Sequence, residues 1–268
     1  MGDVSSMLRR FMLIYVILVL LLGGSVVASK TIDFSGYSWQ VKNGYGGPGP
    51  NNWDNSAEAV FVDSDGLHLT VGVHEGKWYS SEVYLPQSLG YGTYEFEIAS
   101  DVSLVDTNLV GAVFLYEDDT HEIDVEFSRW AGEVGNKNVQ FVMQPFDVAG
   151  NMKRFMLNSG SGVMQKIIWE PKRVLFELVQ NGLVMQQWGY TGQNNFVPGK
   201  EKVHINFWQY KGMAPSDLLK KEFIVKKFRF TALDPEEEIC SLVKSKKGKG
   251  VEKGFFSMLA GKLKGYFS

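Results

Sequence analysis

The segment HEIDVEF, residues 121–127, places a carboxyl group at every second position, as Glu122, Asp124 and Glu126. Side chains of a β-strand alternate between two faces, so a strand here would present three acids on one face and three apolar residues on the other. Like charges on one strand face destabilise a sheet. A row of this kind therefore needs a compensating reason.

Hydrolysis of a glycosidic bond is one such reason, because it uses one protonated carboxyl group and a second as nucleophile or base. Crowding raises the pKa of a carboxyl group, since neighbouring like charges disfavour ionisation. Positions i and i+4 of a strand start roughly 13 Å apart. The side chains must lean inward, or the sheet must curve, to reach the roughly 5–5.5 Å of a retaining enzyme. The alternative is a solvent-facing strand that happens to be acidic.

The chain around this segment has the pattern of a β-protein from Thr31 to Thr231. Short segments rich in β-branched and aromatic residues recur between turn signals, and no stretch keeps helical periodicity for three turns. The pattern predicts an all-β fold, a two-sheet antiparallel jelly-roll sandwich with a concave substrate cleft. The segments predicted as strands are 66–73, 92–100, 109–116, 121–130, 138–145, 173–179 and 221–230.

The segment NGYGGPGPNNWDN, residues 43–55, interrupts this pattern with four glycines and two prolines. It predicts an irregular loop that is neither strand nor helix. Its aromatic residues Tyr45 and Trp53 fit either a plain connection or a rim that faces a ligand.

Composition and charge argue against several other kinds of site. The net charge of −3 divides into +1 for residues 1–28, −6 for 29–233 and +2 for 234–268, and an acidic body does not suit nucleic acid. The four histidines lack zinc-site spacing, and there is no phosphate-binding loop. Cys240 is the only cysteine, which excludes an internal disulfide. No cofactor is expected for catalysis; a structural calcium ion is compatible with the sequence but cannot be read from it.

The two ends of the chain differ from residues 29–233. In residues 1–28, Arg9 and Arg10 precede an apolar run and a small-residue stretch, which predicts a cleaved export signal. An uncleaved anchor is the alternative, because 11–28 contains no charge and is about long enough to span a membrane. Both interpretations place the body outside the cytoplasm, either secreted or anchored at the cell surface.

The C-terminal tail, residues 234–268, begins with helix-start signals at Asp234 and Pro235. A basic linker at 244–250 and a weak amphipathic helix at 251–268 follow. Such a tail suits a tether to an anionic membrane surface, a docking helix or a disordered end.

Several motifs, in matching order, resemble family 16 glycoside hydrolases, the family of lichenases and laminarinases. The unbulged EIDVEF segment resembles the active-site strand of the lichenase type. The resemblance implies a concanavalin A-like fold and retaining hydrolysis of a β-glucan-like polysaccharide. The motifs are EIDVEF at 122–127, GYGTYEFEI at 90–98, IIWEP at 167–171, VLFELVQNGLVMQQW at 174–188 and VHINFWQ at 203–209, within a resemblance that extends from about Tyr37 to Phe230.

The resemblance also implies roles for individual residues. Glu122 corresponds to the nucleophile and Glu126 to the general acid/base, and Asp124 between them positions and tunes the pair. Tyr45 of the glycine-rich segment is a further candidate substrate contact, at the rim of the cleft. The substrate contacts implied by the family are Trp208, Asn206, Glu82, Phe114, Tyr116 and Gln140.

The chain departs from the lichenase pattern at three single positions around the cleft, and its segment QYKGMAP, residues 209–215, lacks the second cleft Trp of that type. Tyr84 stands where lichenases have Arg, Val142 where they have Asn, and His121 where they have Asp. These departures concern the substrate and leave the three carboxyl groups intact.

The sequence thus favours a secreted, monomeric, endo-acting β-glycanase that binds no nucleic acid. Two alternatives remain open. One is a non-catalytic, lectin-like carbohydrate-binding module on the same fold. The other is a transglycosylase, in which a sugar hydroxyl replaces water. A binding module has no use for three mutually repelling carboxyl groups.

Overall fold

The computed structural model describes residues 30–234, which form eighteen β-strands and three short 3-10 helices. No helix in this range is long and apolar enough to cross a membrane. The predicted export segment, Cys240 and the tail beyond Asp234 lie outside the described residues. The strands are β1 Thr31–Phe34, β2 Tyr37–Val41, β3 Gly44–Gly46, β4 Asn51–Trp53, β5 Val60–Val62, β6 Leu67–His74, β7 Lys77–Tyr79, β8 Ser81–Tyr84, β9 Gly92–Ile98, β10 Leu109–Asp118, β11 His121–Ser128, β12 Val139–Met143, β13 Met152–Phe155, β14 Val163–Glu170, β15 Arg173–Gln180, β16 Leu183–Tyr190, β17 Lys202–Gln209 and β18 Lys221–Ala232, and the 3-10 helices are Val102–Leu104, Trp130–Gly132 and Tyr210–Gly212.

The strands form two large antiparallel sheets. The front sheet has the order β1-β2-β8-β17-β10-β11-β12-β13, and the back sheet has the order β16-β15-β14-β9-β18-β6-β5, with β7 paired to β6. All seven segments predicted as strands are strands of these sheets. The predicted all-β, two-sheet antiparallel sandwich is confirmed for the described residues.

Aromatic side chains from both sheets fill the space between them. Phe141 of the front sheet stacks on Phe176 of the back sheet at 5.1 Å, and Phe207 stacks on Phe223 at 5.8 Å. Gly111 of β10 leaves room for the Phe223 ring of the back sheet, because a Cβ atom at this position would lie 2.9 Å from that ring. Each buried side chain of this size contributes about 1.5–3 kcal/mol. This core fixes which face of the front sheet points outward.

Strand β11 shows the predicted alternation. Ile123, Val125 and Phe127 are fully buried in the core between the sheets. Their burial fixes the register, because a shift of one residue would turn the three acids into the core. The strand lies between β10 and β12 and has no free edge.

The predicted irregular loop at 43–55 is wrong in part, because it contains a small two-stranded hairpin of β3 and β4. Gly49, with a φ of +62°, makes the turn in the left-handed region that favours glycine. The hairpin is held by Trp53, which is 1% exposed, donates its indole N–H to the Gly46 carbonyl at 3.0 Å and lies under the Lys42 ammonium. Trp53 is therefore a buried anchor.

The back sheet contains a buried histidine between two carboxylates. The ring nitrogens of His68 lie 2.8 Å from Asp63 and 2.9 Å from Glu222, and the ring stacks on Phe61 at 4.4 Å. Burial opposes protonation of His68, but the hydrogen bonds and charges of Glu222 and Asp63 outweigh it and raise its pKa. Both nitrogens can donate only in the imidazolium form.

This arrangement predicts a pH-dependent contribution to stability. A raised folded-state pKa stabilises the protein fully below the unfolded pKa of about 6.5, and the contribution disappears as pH rises through the folded value. The free energy of unfolding is measured by chemical denaturation at a series of pH values between about 5.5 and 8.5. Over this range the wild-type protein should lose stability relative to the His68→Gln variant. The control is His74→Gln, at the exposed end of the same strand. Parallel stability curves for wild type and His68→Gln would contradict this assignment.

Candidate active site

The three carboxyl groups lie side by side on the outward face of β11, over the middle of the front sheet. The neighbouring strand β10 sets their surroundings: Glu126 is paired with Ala112, and Asp124 is paired with Phe114. Asp124 is 4% exposed, and Glu126 and Glu122 are half-buried at the floor. The row is therefore part of the floor of a depression.

That depression is an open cleft of about 1450 Å³ across the front sheet. Strands β8, β17, β10, β11, β12 and β13 form its floor, so it crosses the strands. One line of paired positions runs along it through the acid Glu126. From one edge to the other, this line is Glu82, Asn206, Ala112, Glu126, Gln140 and Arg154.

Burial and mutual repulsion shift the protonation of the row. Burial raises the pKa of Glu126 to about 7, with the Asp124 charge adding to the effect and Gln140 and Arg154 opposing it. Burial likewise raises the pKa of Asp124 to about 6, although hydrogen bonds from Glu122 and Gln144 oppose this. The pKa of Glu122 lies well above its usual value, because of burial, the Asp124 charge and the hydrogen bond to Asp124.

The row therefore does not hold three charges at once. The raised pKa values keep part of the row protonated near neutral pH. The hydrogen bond between Glu122 and Asp124 raises the pKa of Glu122 and lowers that of Asp124, so Glu122 is the donor of the pair. Like-charge repulsion is removed by protonation, as expected for crowded carboxyl groups.

Two amide side chains of β12 and the loop after it complete the row. Gln140 donates to Glu126, and its oxygen accepts from Arg154 of β13. Gln144 donates to Asp124 at 2.8 Å. Each of these two acids thus has its own donor, which limits the cost of burying its charge.

Glu82 lies at the far end of the line and is 3% exposed. It accepts from Lys42 at 2.9 Å, from His204 at 3.0 Å and from Asn206 at 3.4 Å. Burial opposes its ionisation, but His204 and Lys42 outweigh burial and lower its pKa. Glu82 is therefore an ionised acceptor that three donors hold in place. The Oδ1 atom of Asn206 is buried without a hydrogen-bond partner.

Aromatic residues line the cleft on both sides of the acids. Phe114 stacks on His204 at 4.8 Å, and His204 stacks on Tyr84 at 5.2 Å. Trp208 is 8% exposed and packs with Trp130 in a small cluster outside the main core. Trp208 therefore packs in this cluster and also lines the cleft.

The structure brings together nine of the ten site residues predicted from the sequence. The exception is Tyr45, which is 73% exposed on β3 and does not line the cleft. The nine that line the cleft are Glu122, Asp124, Glu126, Trp208, Asn206, Glu82, Phe114, Tyr116 and Gln140. This placement makes them candidates and does not by itself assign their roles.

Several residues of the cleft gave little signal in the sequence. Arg154 lies in a short strand without a clear pattern, and Lys42 follows β2 beside the glycine-rich segment. His204 precedes the Asn-x-Trp motif by two positions, which in a strand means the same face as Asn206 and Trp208. That alternation would have found His204. Among residues 30–234, no group of three or more His, Cys, Asp or Glu side chains is arranged to hold a metal ion.

The chain is similar to known proteins in its three-dimensional structure. No protein-family model matches the chain, and no curated protein sequence matches it. The Bacillus licheniformis beta-glucanase superimposes with a TM-score of 0.58 and 21% identity, over 78% of this chain and 100% of that one. The transglycosylase Crh5 in complex with NAG superimposes with a TM-score of 0.54 and 16% identity, over 78% of this chain and 86% of that one. A pseudo beta-1,3-glucanase of Mycobacterium tuberculosis superimposes with a TM-score of 0.55 and 19% identity, over 73% of this chain and 91% of that one.

The matched structures also include a glycoside hydrolase family 16 endo-glucanase from Bacteroides ovatus. Identities between 16% and 21% establish likeness of fold and do not establish activity. The chain therefore has the jelly-roll fold of the family 16 glycoside hydrolases.

Proposed function

We propose that this chain is an exported, retaining endo-β-glycanase that hydrolyses internal bonds of a β-glucan-like polysaccharide. The observation that carries the proposal is the row Glu122, Asp124 and Glu126, with raised pKa values, on the floor of an open cleft. A cleft open along its length admits the middle of a long chain, which suits endo action. Export is supported by the sequence of residues 1–28 alone.

The first half of the reaction uses all three acids. The proton of the Glu122–Asp124 pair moves to Asp124, and the freed Glu122 carboxylate attacks the anomeric carbon. Glu126 gives its proton to the glycosidic oxygen as that bond breaks, which leaves a glycosyl ester on Glu122. The hydrogen bond within the pair provides a direct route for the first proton.

The second half reverses the roles. The Glu126 carboxylate accepts a proton from water, and the resulting hydroxide equivalent attacks the anomeric carbon and displaces Glu122. Two displacements at one carbon retain its configuration. A sugar hydroxyl in place of water would give transglycosylation, and the likeness to Crh5 keeps this as the second candidate.

Sugar release from a panel of β-1,3, β-1,4, mixed-linkage and sulfated glycans tests the proposal. We expect release of oligosaccharides by wild type and a loss of at least about 10³-fold in Glu122→Gln, because the amide cannot form the ester. Glu97→Gln is the matched control, since it removes a carboxyl group from an alternating strand of the back sheet. Activity of Glu122→Gln within a few-fold of wild type would exclude Glu122 as nucleophile. Binding without turnover by wild type would favour the lectin-like alternative.

Azide should partly restore turnover of the Glu126→Ala variant on substrates with a good leaving group. Loss of the acid/base is expected to cost about 10²–10⁴-fold on natural bonds. An activated leaving group needs little protonation, and azide attacks the glycosyl ester where water is no longer activated. The adduct should have the configuration of the substrate. An inverted adduct would mean that the roles of Glu122 and Glu126 are exchanged.

The pKa values of the row predict a narrow pH optimum for kcat/KM. Above about pH 7 Glu126 loses the proton that it must donate. Below about pH 6 Asp124 is itself protonated and cannot take the proton of Glu122. We therefore expect a bell-shaped profile with its maximum between these two values, measured with initial rates in overlapping buffers. A rate that stays constant up to pH 9 would be inconsistent with Glu126 as the acid.

A further inference from the structure

Gln140 connects the carboxyl group of Glu126 to a cation two strands away. Glu126 of β11, Gln140 of β12 and Arg154 of β13 are directly paired in the front sheet. The Gln140 amide nitrogen donates to Glu126 Oε2, and the Gln140 oxygen accepts from both Nε and Nη2 of Arg154. The three side chains form one continuous chain of hydrogen bonds.

The fork of Arg154 decides which way the Gln140 amide points. A carboxamide can present either its oxygen or its NH₂ group to a neighbour. Two guanidinium donors on Oε1 leave only the NH₂ group for Glu126, so Gln140 always donates to the acid. Without the fork, the amide can turn and accept the proton of neutral Glu126 instead.

Arg154 is itself held in place. Its guanidinium lies 4.8 Å from the ring of Trp130, within cation–π range. Trp130 and Ala131 follow the catalytic strand with φ values of 43° and 55°, a left-handed conformation that is costly for a bulky residue. The hydroxyl of Ser128 fixes this turn by accepting from the Trp130 amide at 2.9 Å. Both Nε and Nη2 of Arg154 donate to the Gln140 oxygen, so the guanidinium is held between Gln140 and the Trp130 ring.

We propose that Arg154 is a positioning residue, which acts through Gln140 to keep a hydrogen-bond donor on Glu126. The relay favours the carboxylate form that Glu126 needs for the second displacement, and it limits how strongly the acid holds its proton. The assignment of Glu126 as acid/base rests on the proposed function. The relay itself rests on the contacts among the three residues.

Titration of Glu126 in the whole chain tests the relay without any substrate. The titration is followed by the ¹³C carboxyl resonance of Glu126, which is assigned by its loss in Glu126→Gln. In Arg154→Met the midpoint of this titration should rise by roughly 0.5–1 pH unit. Gln140→Met should raise the midpoint as well, and the double variant should raise it by less than the sum of the two single effects, because only the direct charge effect of Arg154 is independent of Gln140. Arg173→Met is the control, because it removes the same charge from the back sheet.

Arg154→Lys separates orientation from charge. Lysine keeps the positive charge but lacks the planar fork, so the relay predicts that at least half of the upward movement remains. An unchanged midpoint in Arg154→Met, additive effects in the double variant, or full restoration by lysine would each overturn the relay. If Arg154→Met does not fold by near-ultraviolet circular dichroism, Arg154→Lys and Gln140→Met carry the test.

The basic limb of kcat/KM should move with the titration midpoint in each variant. If the midpoints move as expected while wild type cleaves no glycan, the proposed function fails and the relay stands. If wild type cleaves glycans while the midpoints stay fixed, the relay fails and the proposed function stands.

Discussion

Buried like charges repel, and Glu122, Asp124 and Glu126 bring this cost to the centre of the front sheet. The alternation of β11 makes the problem unavoidable, because the residues between the acids are needed in the core. The protein reduces the cost by protonation, which removes part of the charge, and by the donors Gln140 and Gln144. In the proposed reaction these same protons are the ones that Glu126 and the Glu122–Asp124 pair transfer. The stability of the row and its proposed reactivity therefore have a common origin.

The rest of the sheet keeps the row fixed while leaving room above it. On the inner face, Gly111 of β10 admits the Phe223 ring, so the two sheets pack tightly beneath the acids. On the outer face, Ala112 is the small residue between Asn206 and Glu126 in the line across the cleft. A larger side chain at this position would fill the space beside the acid. Gly111 and Ala112 are neighbours in sequence and lie on opposite faces of β10. One leaves room for the core, and the other leaves room for the cleft.

Much of this arrangement could be predicted because it is local. Alternation over seven residues gives the strand, its buried face and its acid row, and the family resemblance adds the two roles. The residues that the sequence did not predict act across strands. Arg154 reaches Glu126 only through the pairing of β11 with β12 and of β12 with β13, and a single sequence does not contain that register. Composition misled at 43–55, because a segment rich in glycine and proline still forms a hairpin anchored by Trp53.

A cluster of hydrogen bonds and stacked rings holds the Glu82 end of the cleft. The Glu82 carboxylate accepts from Lys42, His204 and Asn206 and so orients these side chains. All four residues line the cleft. Tyr84 stacks on His204 in this same cluster. The acid row depends on β11, whereas this cluster is built mainly on β8 and β17, so different strands position the two parts of the cleft.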